Sequence, residues 1–263
     1  NDSGIADDIT LIRSMHTGVN NHLPSNYAMT TGQHRGGRAV LGSSLLHALR
    51  SETQELHAYV ALKDPRGLPL LVGENWSNGP LPSIYQGTLV RPKTPRIFNL
   101  EPAPHLRGEP QKRQLSFLRD LNQFHLKTHP GEADLDARLT SYGLAANMQT
   151  AAKEAFDNSS EPGHILQLYG VDQDRARDYA TSCLIARRLV ERVVRFVQII
   201  CNGQIWDHHD TIQTVLPERC AEIDQPVAAL VKDLKQRGSV RDRFTHSYDS
   251  TTTNCNSCHA NPS

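Results

Sequence analysis

Long hydrophobic runs are missing from this 263-residue chain. No stretch approaches the roughly 18 consecutive apolar residues of a membrane span, which excludes a transmembrane helix within the sequence. The longest apolar run lies around Val193–Cys201, and Arg195 and Gln198 interrupt it. An excess of one charge is also missing: 28 Lys and Arg balance 28 Asp and Glu. That balance offers neither a basic footprint for nucleic acid nor an acidic disordered tail. Cysteine is scarce, and five is an odd count, too few for a disulfide scaffold in a chain this long. No basic-then-apolar leader follows Asn1, so the compartment is not directly readable. Gly-x-Gly-x-x-Gly and Gly-x-x-x-x-Gly-Lys-Ser/Thr are both absent, which leaves a nucleotide cradle unsupported. There is no Gly-x-Ser-x-Gly elbow and no Cys-x-Pro-x-Arg string, so neither of those nucleophile motifs is present.

What remains is a polar, globular composition, 38% hydrophobic, long enough for one large or two small domains with a real core. Histidine is abundant, with 13 residues that cluster.

The pattern along the chain predicts an α/β protein. Residues 5–8 read as the end of a helix and Ile9–Arg13 as a short strand. A loop through His16 and His22 follows, punctuated by Gly18, Asn20, Asn21 and Pro24. Gly42–Arg50 reads as helix. Tyr59–Leu62 reads as a buried strand closed by the turn Asp64-Pro65-Arg66-Gly67. Pro and Gly are dense from Gly73 to Arg107, which predicts an irregular insertion with short strands near Thr88–Val90 and Arg96–Asn99. Leu115, Leu118 and Leu121, then Leu135, Leu139, Tyr142 and Met148, fall at helical spacing on either side of His129-Pro130-Gly131. Asp174–Glu191 reads as an amphipathic surface helix with an Arg-rich outer face. Val193–Ile200 has the β-branched continuity of a buried parallel strand. A last helix is expected to start at Asp224 with Pro226 in its first turn and to end at Gly238.

Four groups of residues have the types for chemistry. Trp206-Asp207-His208-His209-Asp210 follows the buried strand, and ligands of α/β sheets sit beyond the carboxyl ends of strands. A carboxylate and an imidazole two residues apart can meet one metal ion, because both bind zinc at about 2.0–2.2 Å. The competing reading is a surface loop whose histidines cap backbone groups. The loop from His16 to His22 follows the expected first strand and can order an anion or partner groups near a metal. The competing reading is polar residues closing turns. His125 and His129 are four apart, but Pro130 interrupts their helix. Cys255-Asn256-Ser257-Cys258-His259 is a full Cys-x-x-Cys-His string, the pattern of covalent c-type haem attachment. Two thiols would join the haem and His259 would ligate its iron. The alternative is a polar tail or a structural disulfide.

Several strings taken together carry a resemblance. They are Asp8-Ile9-Thr10-Leu11-Ile12-Arg13-Ser14-Met15-His16-Thr17, Asn21-His22, Asn75-Trp76-Ser77 and Tyr85-Gln86-Gly87-Thr88. Leu168-Tyr169-Gly170, Cys183–Arg192, Val194–Gln198, Trp206-Asp207-His208-His209 and Asp224–Leu230 complete the set. They resemble a group of exported bacterial proteins known as a domain of unknown function and placed in the alkaline phosphatase/sulfatase superfamily. The resemblance covers about residues 5–238.

It implies an alkaline phosphatase-like α/β sandwich with a mostly parallel central sheet, incomplete at both ends. It also implies export, hence a periplasmic or extracellular location, and hydrolysis of a small anionic phosphate or sulfate ester. The cofactor implied is a divalent metal, zinc or calcium. Asp207 and His209 match one pair of metal ligands, and His16 and His22 stand in a family-typical string beside them. The first strand and the nucleophile region of such proteins precede the position of Ile5, so the catalytic residues are not expected in this chain. Residues 1–238 are expected to form a partial domain, and 239–263 a divergent tail. Two rival readings stand beside this one. One is electron transfer through a haem c on Cys255, Cys258 and His259. The other is a domain that binds anionic glycans through residues 73–107.

Overall fold

The computed structural model describes residues 3–53, 55–98, 100–128, 133–202 and 204–238. Cys255, Cys258 and His259 lie outside the described residues, as do His129 and the whole of 239–263.

Three short strands form one parallel sheet: β1 (Tyr59–Leu62), β2 (Thr88–Val90) and β3 (Phe196–Ile199), in the order β2-β1-β3. Val60 stands opposite Thr88 on one side and Val197 on the other. All four residues of β1 are buried, as expected of a parallel strand covered on both faces. Side chains alternate along a strand, so each strand feeds two cores. Val60, Leu62, Val197 and Ile199 join one core with Leu184, Ile185 and Leu189. Tyr59 and Ala61 join the other with Val40, Leu46 and Trp76. Burying one such large side chain stabilises the fold by about 1.5–3 kcal/mol.

The first core is built from α4 (Ala133–Phe156), α5 (Gly163–Tyr169), α6 (Arg177–Glu191) and α7 (Ile212–Gln236). α2 (Leu41–Leu49) covers the other face, and α1 (His22–Thr31) precedes it. α3 (Glu109–Thr128) packs on α4 and buries none of its residues. The architecture is therefore mixed α/β with helices on both sides of a small parallel sheet.

The structure corrects several expectations. Ile9–Arg13 is not a strand; a 3-10 helix covers Ser3–Asp8, and Ile9, Leu11 and Ile12 stay 61%, 82% and 58% exposed. β propensity is realised only against a neighbouring strand, and among the described residues none pairs with this segment. Residues 96–98 likewise stay irregular, and Arg91 N–H donates to Arg96 O instead. Within the described sheet β1 is central and β3 lies on the edge.

Helix α1 was not expected. Asn21 caps it by accepting from Leu23 N–H at 3.1 Å, and Gly32 ends it in the left-handed region. Pro24 falls in the first turn, where its missing N–H has no helical partner to lose. α7 starts twelve residues before the expected Asp224, so Pro226 lies inside the helix and leaves Glu222 O without its usual donor.

α6 is not a surface helix. Arg187 is only 3% exposed, and the expected outer face is a buried ionic network. Arg187 donates to Glu161 at 2.6 Å and to Glu191 at 2.9 Å, and its Nε lies 3.3 Å from Asp233. Arg188 pairs with the same Glu161 and donates to the carbonyls of Ala155 and Glu154. Arg237 joins Asp233 to Glu191, and Tyr169 donates its hydroxyl to Asp233. A periodic sequence shows one face charged and one apolar, but not which charges find buried counter-charges.

Candidate metal-binding site

Parallel strands release their loops from one edge. The turn after β1 and the loop after β3 are tied together there. Asp64 Oδ2 accepts from Asn202 N–H at 3.1 Å and from Arg66 Nη2 at 2.7 Å. Arg66 also reaches Glu222 on α7 at 3.0 Å. Burial pushes the Asp64 carboxyl up, but Arg66 and the Asn202 amide outweigh it and hold it below its ordinary range. This clamp fixes where the chain leaves β3 toward Trp206.

Beyond the clamp, Asp207 gathers two imidazoles. Its Oδ2 lies 3.0 Å from His22 Nε2 and 2.9 Å from His209 Nε2. The Asp207 side chain is 13% exposed, while His209 stands at the surface. Asp207 N–H donates to Gln204 O at 2.9 Å and holds the loop bent. His22 is the first residue of α1, so the Asn21 cap sets its position. The approach to His22 is stiffened by Thr17, whose hydroxyl donates to Ser25 Oγ at 2.9 Å, and by Ser25, which donates to Val19 O.

The structure thus brings together three of the four candidate metal residues, from positions 22, 207 and 209. The fourth, His16, is exposed and has no partner among the described residues. Two further groups in the same loop were not singled out as site atoms. Trp206 Nε1 and His208 Nε2 are buried with no hydrogen-bond partner among the described residues. Buried polar atoms are rarely left unpaired, so both mark the loop as incomplete by itself. His208 was legible only as part of the His-His pair; nothing in the sequence shows which of the two turns inward.

The donor types fit a divalent metal: two imidazole nitrogens and one carboxylate oxygen suit zinc. The 2.9–3.0 Å separations are those of direct ion pairs, shorter than the edge of about 3.3–3.6 Å between tetrahedral ligands at 2.0–2.2 Å from one ion. Asp207 contacts both imidazoles directly, and among the described residues no group of three or more His, Cys, Asp or Glu side chains is placed to hold a metal ion.

The fold and this cluster define an α/β protein with a carboxylate–imidazole site beyond the carboxyl edge of a parallel sheet. The chain belongs to the family described as "Protein of unknown function (DUF1501)", whose profile matches residues 1–244. A search of the curated proteins and of the solved structures finds no match.

Proposed function

We propose that this chain supplies part of the metal site of an exported hydrolase acting on phosphate or sulfate esters, built on an alkaline phosphatase/sulfatase-like sandwich. The observation that carries the reading is the convergence of His22 and His209 on one oxygen of Asp207. Asp207, His22 and His209 would hold zinc or calcium, with zinc favoured by the two imidazoles. A bound metal polarises the ester and stabilises the leaving oxygen. The chain's own part is to orient the two imidazoles through Asp207 and to hold the loop against the sheet through Asp64, Arg66 and Asn202. The substrate class is a small anionic ester, and the location is periplasmic or extracellular.

The test is metal analysis of the full chain with zinc titration, in the parent and in Asp207→Ala, His209→Ala and His22→Ala. The reading expects about one zinc per chain, lost in Asp207→Ala and weakened by about 10-fold or more in each His variant. Zinc uptake unaffected by all three substitutions, or no uptake at all, refutes it.

A second reading, electron transfer through a c-type haem, rests on the Cys255-x-x-Cys258-His259 string. A Soret band on chain matured in a periplasm supports it, and its absence rejects it.

A further inference from the structure

α3 presents two apolar stripes, and among the described residues only one of them has a partner. Gln111, Leu115, Leu118, Asn122 and Leu126 are its half-buried positions, spaced as one helical face. That face lies on α4, where Gln111 Nε2 donates to Gln149 Oε1 at 3.1 Å. Phe117, Leu121 and Phe124 stand at i, i+4 and i+7, a second face about 130° around the helix from the first. They stay 65%, 51% and 67% exposed.

Two opposite charges run beside the exposed stripe. Asp120 and Lys127 are one heptad apart, on the same side of it. Neither has a hydrogen-bond or ion-pair partner among the described residues. Their own helix offers none, because no residue of opposite charge stands three or four positions from either. An acidic group beside an apolar stripe calls for a cation across the contact, which an anionic lipid surface does not supply.

The stripe and its charges are complementary to themselves. In two copies of α3 set antiparallel about a two-fold axis, Leu121 meets the partner's Phe124, and symmetry repeats the layer. Phe117 then falls opposite the partner's Thr128 at either end. In that register Asp120 lies beside the partner's Lys127, and Lys127 beside the partner's Asp120. Sliding the partner by one heptad sets Asp120 against the partner's Asp120 and Lys127 against the partner's Arg113. Those are like charges both times, so charge selects the first register.

We propose that two copies of this chain associate through α3, antiparallel, with Phe117, Leu121 and Phe124 buried between them and Asp120 paired to Lys127 on the flank. One helix from each copy makes a smaller contact than the roughly 800 Å² per partner of a standard interface, so the dimer is weak and concentration-dependent. The inference does not rest on the metal reading, since none of these residues belongs to the Asp207 cluster.

The experiment is analytical ultracentrifugation of the full chain over a concentration series in reducing buffer. The parent is expected to pass reversibly from monomer to dimer. Leu121→Glu should weaken the dimer about tenfold or more. Because α3 buries none of its residues, the melting temperature of that variant's monomer should match the parent's. Asp120→Lys and Lys127→Asp should each weaken the dimer about threefold or more, since the axis repeats each pair. The two reversals combined should restore most of the lost affinity, which a merely sticky surface does not explain. A chain that stays monomeric at the highest concentration reached overturns the proposal. So does a dimer indifferent to Leu121→Glu, or a double reversal no tighter than the single ones. A monomer that sediments with vesicles of phosphatidylglycerol and phosphatidylcholine, and loses them with Leu121→Glu, assigns the stripe to a membrane surface and overturns it as well.

Discussion

Glu161 is the point at which the fold can be broken by one proton's worth of chemistry. Its side chain is 6% exposed, and it faces both Arg187 and Arg188. Burial pushes its carboxyl up, yet the hydrogen bonds and charges of Arg188 and Arg187 outweigh burial and hold it below its ordinary value. Glu161→Gln keeps the shape and removes the charge. Arg187 then retains Glu191 and Asp233, and Arg188 retains two backbone carbonyls. Breaking one side of a buried pair costs about 3–5 kcal/mol, and these remaining partners place the expected loss near the lower end, about 3 kcal/mol. At about 2–4 °C per kcal/mol for a domain of this size, the melting temperature should fall by about 6–12 °C. Thermal and urea unfolding followed by circular dichroism measure both quantities. Glu161→Met with Arg188→Met, which removes a charge of each sign, should recover part of the loss. The sign with pH follows from the lowered carboxyl. Its contribution is complete above the unfolded value near 4.3 and is lost as pH falls through the folded value. Parent stability should therefore drop below about pH 4, and Glu161→Gln should flatten that drop. A Glu161→Gln protein within about 0.5 kcal/mol of the parent, with the same acid slope, would refute the network's role.

Other outcomes follow from single contacts. Gly42→Ala places a Cβ 2.6 Å from Phe196 Cδ1 and 2.8 Å from Tyr59 Cε1, so α2 must shift off the sheet. Urea unfolding should show a loss of about 1–3 kcal/mol. Burial pushes the Cys183 thiol far up, so a thiol reagent should label it only after unfolding; rapid labelling of Cys183 in the native chain contradicts its placement. Burial lowers the His57 imidazole from its ordinary value of 6.5. The unfolded chain then takes up its proton first, so stability should decline as pH falls from that value toward the lower folded one. His57→Gln should remove that part of the decline between about pH 7 and 5, read by melting at each pH.

Local patterning made much of the fold legible. The run Tyr59–Leu62 is β-branched, aromatic and bounded by Asp64-Pro65-Arg66-Gly67, and it forms the central strand with that turn. Thr88–Val90 is a strand as expected, whereas only Phe196–Ile199 of the expected Val193–Ile200 is strand, and Val193 has a left-handed φ of 57°. The Trp206–His209 string could be placed beyond a strand end because its position follows from chain order. Sequence pattern and structure part where a partner decides. Ile9–Arg13 has strand composition but no neighbouring strand among the described residues. The pattern places a helix start at Asp224 with Pro226 in its first turn, yet α7 begins at Ile212 and runs through Pro226.

By itself, the sequence determined the α/β class, the buried strands and the two polar strings that hold His22 and Asp207, because these depend on residues near one another in the chain. Tertiary structure alone decided that those strings meet and that Arg187 and Arg188 are interior. Each is a contact between positions far apart along the chain. Periodicity and propensity describe one segment at a time, whereas hydrogen bonds and ion pairs between segments exist only once the sheet has placed its edges.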